Sequence, residues 1–172
     1  MSDTGEIVNR VAKSPLITLD LQEYYPAGER KVLDIKDWLF QGMILKEKEF
    51  RATVKDHDWS QYENCYVAIT CSAEAIVPTW AYMLVASKLE GVAKLMIFGS
   101  EQELEKIILK ESLSQIDPEK YQDKKLVIKG CGDPRITEFA YVEIVRILKP
   151  VASSIMYGEP CSTVPIYKKP RK

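Results

Sequence analysis

AYMLVASKLEGVAKLMIFG, residues 81–99, and AYVEIVRILKPVASSIMYG, residues 140–158, are the stretches that decide the fold. Aligned without a gap, they share six of nineteen residues: Ala81/Ala140, Tyr82/Tyr141, Leu89/Leu148, Val92/Val151, Ala93/Ala152 and Gly99/Gly158. Unrelated stretches of average composition would share about one. The same offset of 59 places Asp58 on Asp117 and Tyr62 on Tyr121, and a local offset of 60 puts Cys71 on Cys131. The chain therefore reads as a duplicated half, residues 46–99 followed by residues 100–158.

Working outward from these blocks, both halves show the same order of elements. Phe50 and Val54, like Leu109 and Leu113, are four apart and share one helical face, so a helix opens each half. Ser100 followed by Glu103 forms a capping box for the second of these helices. YVAIT (66–70) and LVIK (126–129) are short β-branched apolar runs that fit buried strands, and both run into cysteine. A second helix begins near Pro78 or Thr137, since proline suits a first helical turn and threonine can cap. Trp80, Leu84 and their apolar neighbours predict that the helix after Pro78 is buried against a sheet. Leu95 to Phe98 and Ile155 to Tyr157 close the halves, each stopped by glycine.

Strands alternating with helices predict a three-layer α/β fold, a mostly parallel sheet with right-handed crossovers, in a single domain over residues 1–172. The expected central order is 2-1-3-4, with the first strands of the two halves side by side. Residues 1–45 lie outside the repeat. They contain LITLDL (16–21), a turn at Pro26 to Glu29 and the apolar run Trp38 to Leu45. They read as one or two strands and a short helix covering the core or a partner subunit. Residues 159–172 read as a C-terminal segment with a basic tail.

The charge balance excludes several function classes. The 172 residues hold 24 basic and 25 acidic side chains, so no global field attracts a polyanion, and nucleic acid is not an expected partner. No apolar run approaches the ~20 residues that cross a bilayer, and Met1 to Arg10 lack the apolar stretch of a signal peptide. No membrane is expected, and the expected location is the cytoplasm. There Cys65, Cys71, Cys131 and Cys161 stay reduced, and their spacing contains no C-x-x-C pair.

In the 2-1-3-4 order, Cys71 and Cys131 end neighbouring strands, and Cys161 leaves the fourth strand at the same carboxyl edge, where open α/β sheets bind ligands. Three thiols facing one crevice would suit zinc or iron, with Glu74, Asp133, Glu159 or water as the fourth ligand. The alternative is that cysteine acts as a small buried hydrophobe. Cys65 opens the strand that Cys71 closes and cannot share its site. His57, the single histidine, falls at the opposite edge as a helix-end residue. No base is then left at the crevice for a nucleophile. In Gly130-Cys131-Gly132-Asp133-Pro134-Arg135, Arg135 could serve as a fork for an anion, although ordinary turn chemistry explains the same residues. No nucleotide-binding glycine motif is present. Pro160 and Pro165 fix an extended segment that either orders Cys161 or ends the sheet.

Five segments carry a family resemblance: DIKDWLFQGMILKEKEFR (34–51), DWSQY (58–62), AITCSAEAIVPTWAYM (68–83), VIKGC (127–131) and SIMYGEPCSTVP (154–165). The chain resembles a family of uncharacterised bacterial proteins, domain of unknown function family 2480. The resemblance implies a small cytoplasmic protein of unassigned function and supplies no catalytic residue; Cys65 lies outside its segments. Two functions are carried forward. One is a cysteine-based metal or thiol-redox site; the other is a non-catalytic interaction or scaffold module, as a homodimer. Neither names a small-molecule ligand or decides whether the protein is an enzyme.

Overall fold

The structure, a computed structural model, describes residues 16–129, 132–159 and 161–170. In chain order the elements are β1 (Leu16–Asp20), β2 (Arg30–Asp34), α1 (Glu47–Asp56), β3 (Tyr66–Thr70), α2 (Thr79–Leu89), β4 (Leu95–Phe98), α3 (Glu101–Ser114), β5 (Lys125–Lys129), α4 (Glu138–Leu148), β6 (Ser154–Glu159) and β7 (Ser162–Lys168). The fold is α/β and its sheets are mostly parallel. The chain divides into two compact units, a central one of Ala27–Ile108 and a terminal one of Met1–Pro26 with Leu109–Lys172.

The central unit is built on a parallel sheet in the order β2-β3-β4. Tyr66, Val67, Ala68 and Ile69 of β3 are all buried, as expected of a strand covered on both faces. On one face Val67, Ile69 and Leu33 pack with Phe50 and Val54 of α1 and with Ala81, Val85 and Leu89 of α2. On the other, Tyr66 and Ala68 pack with Leu104 and Ile108 of α3. Phe50, Val85 and Leu89 are fully buried, and each such side chain contributes about 1.5–3 kcal/mol relative to exposure.

The terminal unit holds the sheet β1-β5-β6-β7, parallel except for the last pair. Its core joins Leu19, Leu126, Ile128 and Ile155 of the sheet to Leu109 and Leu113 of α3 and to Ala140, Ile144 and Leu148 of α4. The boundary between the units thus falls inside α3.

Two sheets replace the single 2-1-3-4 sheet. β3 lies between β2 and β4, β5 lies between β1 and β6, and β3 and β5 do not pair. The reason lies in residues 16–45, which are not an appendage to the core. A strand buried on both faces needs hydrogen-bonding neighbours on both edges. LITLD and RKVLD each supply one, β1 to β5 and β2 to β3. The registers agree: Leu16 pairs with Lys125 and Arg30 with Tyr66, while Lys125 pairs with Ser154 and Tyr66 with Leu95. Residues 66, 79 and 95, which open β3, α2 and β4, and residues 125, 138 and 154, which open β5, α4 and β6, all stand at the offset of 59. The loops after β3 and β5 are therefore equal in length, and by count Cys71 falls on Gly130 and Cys131 on Ser72.

Helix starts differ in detail from expectation. The capping box of α3 is present: the Ser100 amide donates to Glu103 Oε2 at 2.7 Å, and the Glu103 amide to Ser100 Oγ at 3.2 Å. Thr137 stands at the N-cap of α4 in extended conformation, but its hydroxyl makes no cap bond and is buried without a partner. α2 is not buried all round: Met83, on its outer side, is 68% exposed. Residues 162–168, within the stretch expected to be an extended segment fixed by Pro160 and Pro165, form β7. Pro165 argues against a central strand, but β7 is an edge strand with a register shift opposite Ile155/Met156, where a proline is tolerated.

Candidate functional site

In the central unit, the carboxyl edge of the sheet is organised by Asp34, the last residue of β2. Its carboxylate accepts the amide of Lys36 (3.0 Å), which caps a short 3-10 turn, and the amide (3.0 Å) and hydroxyl (2.5 Å) of Ser72. Burial pushes the Asp34 carboxyl up, but the Ser72 and Lys36 bonds outweigh it and hold the group below the usual carboxylate range. Cys71, half-buried, has the Ala73 carbonyl as its sulfur contact at 3.9 Å. Burial, and then the charges of Cys71 and Asp34, raise the Tyr82 hydroxyl above its ordinary value. The Tyr82 ring meets Phe98 edge-on at 4.8 Å. Glu74, in the same loop, is exposed.

The terminal unit repeats the outline with other groups. Asp20, the last residue of β1, caps its own 3-10 turn through the Gln22 amide (3.0 Å). Lys129 Nζ stands 3.9 Å from Asp20 and 3.5 Å from Glu159, in part-exposed pairs of little energetic weight. Asp133 accepts the Arg135 amide (2.9 Å) and binds the Arg135 guanidinium through Nε and Nη2. Those bonds from Arg135 hold Asp133 at about 2. The Arg135 fork is thus turned onto its own loop, in line with the turn-chemistry alternative, with the guanidinium over the Tyr25 ring at 4.3 Å. Cys161 is exposed at the β6–β7 hairpin. Tyr141, Val142, Val145, Tyr157 and Ile166 line an apolar groove of about 520 Å³ between α4, β6 and β7.

The cysteines do not form the expected constellation. Cys131 lies outside the described residues. The strand before it belongs to a different sheet from the strand of Cys71, so the neighbour relation that motivated a shared metal ion is gone. Among the described residues, no group of three or more His, Cys, Asp or Glu stands where it could hold a metal ion, and a metal or redox site is not supported. Cys65 is buried in the central core, its sulfur 3.5 Å from the Glu63 carbonyl. His57 caps the end of α1, as its helix-end position predicts. Its Nε2 lies 3.2 Å from the Tyr62 hydroxyl, inside a ring of Trp38, Trp59 and Tyr62. The DWSQY segment is accounted for by folding: Asp58 holds the Ser60 amide and hydroxyl, and Trp59 Nε1 donates to the Val54 carbonyl.

Sequence reasoning missed the shape of Trp38 to Leu45. The run is a 3-10 turn ending at Trp38 and then a tight hairpin closed by the Phe40–Ile44 bridge, with Gln41 and Gly42 both at positive φ (53° and 69°). Two successive left-handed residues are what a primed hairpin turn demands, and the dipeptide Gln-Gly was the available signal. The turn leaves Met43 58% and Ile44 55% exposed, and Lys46 caps the Phe40 ring.

No helix among the described residues is long and apolar enough to cross a membrane. No curated protein and no solved structure matches the chain. The family model described as "Protein of unknown function (DUF2480)" matches residues 5–169, and the chain belongs to that family.

Proposed function

We propose that the protein is a non-catalytic interaction module, built from two copies of one half, that works as a homodimer. The observation carrying this reading is where the central unit leaves apolar side chains in water: Met43 and Ile44 at the hairpin, Met83 on α2 and Phe98 at the end of β4. Large apolar side chains left in water are the material of contact surfaces, and the terminal unit exposes Val142, Val164 and Ile166 as well. The polar groups around them serve folding instead. Asp34 ties β2 to the loop after β3, Asp58 shapes a turn, and His57 is enclosed by aromatic rings. The common offset of 59 in strand register supports the duplicated half.

The test is the oligomeric state of the full chain across a dilution series by light scattering. A two-fold mass that dissociates on dilution is expected, and a monomer up to about 100 µM, where a specific dimer of ordinary strength is populated, would overturn the reading.

A further inference from the structure

The geometry points to β4 as the seam of that homodimer: we propose that two copies pair β4 with β4 in antiparallel fashion, joining their three-stranded sheets into one of six strands. The inference rests on the homodimer reading and adds the surface. β4 bonds to β3 along one edge, and among the described residues its other edge has no partner strand. Its sequence, Leu95-Met96-Ile97-Phe98, is apolar on both faces. Leu95 and Ile97 pack with the Leu104/Ile108 cluster, Met96 joins the α1/α2 core, and Phe98 lies against Tyr82 while remaining 68% exposed.

Edge strands invite pairing unless something blocks them; β2 and β7 are blocked, and β1, the remaining edge, carries the polar Thr18 and the charged Asp20. β2 carries Arg30 and Lys31, tied to Glu105 and to the Gln61 carbonyl. β7 carries Pro165 and a register shift. β4 has neither charge, proline nor bulge.

The chain itself shows what such an edge accepts. In the terminal unit β6 stands beside β5 as β4 stands beside β3, at the same offset of 59 in register, and β6 is covered by the antiparallel strand β7. The central unit has no strand of its own for the corresponding place. A second β4 fits it, because an uncharged apolar strand is complementary to itself and offers a charged partner nothing to recognise. With Arg30 and Lys31 on the far edge, head-to-tail growth is opposed and a closed two-fold pair is favoured.

Phe98→Lys in the full chain is the direct test, since it sets a charge against the seam at an exposed position. Sedimentation should show dimer dissociation strengthened roughly tenfold or more, with circular dichroism unchanged. Val142→Lys, on α4 of the terminal unit, also exposed and apolar, should leave dimerisation as in the wild type. Should Phe98→Lys fail to fold, hydrogen exchange of the wild type decides: amides of residues 95–98 should slow with rising concentration while those of residues 30–34 do not. A dimer that survives Phe98→Lys, or that Val142→Lys dissolves instead, overturns the β4 seam and leaves the homodimer reading standing. A wild-type monomer sinks both.

Discussion

The central and terminal units bury the same positions with different side chains. Phe50, Val54, Val85 and Leu89 in one stand, at the offset of 59, where Leu109, Leu113, Ile144 and Leu148 stand in the other. Around them the fillings diverge. Trp38, Trp59 and Trp80, all three tryptophans of the chain, pack in the central core, and the terminal core holds none. The same frame of strand register therefore tolerates an interior lined by tryptophan and one whose aromatic lining is tyrosine and phenylalanine. Cores keep volume and pattern before identity. What changes between the units is the sheet edge, bare at β4 and covered at β6.

The tryptophan asymmetry makes the comparison breakable. Phe50→Ala should destabilise the central unit by about 3–5 kcal/mol and Leu109→Ala the terminal unit by about 2–5 kcal/mol. Tryptophan fluorescence should follow the first loss closely, while far-UV dichroism registers both. Coincident shifts of both signals in both variants would show that the units unfold as one.

A smaller effect belongs to the terminal unit at alkaline pH. Burial, and then the bond to Tyr121, push the Tyr24 hydroxyl up to about 12. A raised value means that its stabilisation is fully present below the ordinary tyrosine range near 10 and is lost as pH rises through about 12. Spectrophotometric titration should show Tyr24 ionising late, and Tyr121→Phe should bring it down. A Tyr24 that ionises with the exposed tyrosines would contradict the packing.

The central unit has the opposite sensitivity. Burial lowers His57 below its ordinary value, against a weaker upward pull from Asp58. Its neutral form is the one the fold prefers, so stability should decline as pH falls below about 6.5 and level off once the folded form is protonated. At the matching position the terminal unit has Ile116, buried in its core. His57→Ile should flatten the decline near pH 6, read as urea midpoints; an unchanged slope would place the titrating group elsewhere. The smallest effect is expected at Asp133, whose NMR titration should centre near 2 and return toward the ordinary carboxylate value in Arg135→Gln, with no measurable change in unfolding.

The class of fold, the helices and the buried strands were legible because period and repeat agreed at every one of them: Tyr66 to Ile69 and Leu126 to Ile128 can only be buried runs. The sheet order was not, because pairing is a long-range choice. LITLD and RKVLD are local strand signals that do not name their partners, and a 2-1-3-4 sheet satisfies the same local pattern as two separate sheets. β7 was hidden by Pro165, which reads as a breaker unless the strand is known to lie at an edge. At the candidate site, Asp133 and Arg135 were visible as a charged pair after a strand. That they face each other depends on one turn geometry, which Asp, Pro and Arg in sequence suggest without requiring.

The pairing of β1 with β5 bears on how the protein is made. Leu16 meets Lys125, more than a hundred residues later in the chain, whereas β2, β3 and β4 all lie within Arg30–Phe98. On a ribosome adding about 5–20 residues per second, the central sheet has its three strands some seconds before β5 is synthesised. β1, which leaves the tunnel before them, is thus held back, unpaired and half apolar, while later strands fold past it. A nascent chain in which Ile108 has cleared the tunnel and Lys125 has not would carry a finished central unit and a waiting β1, a natural client for a chaperone.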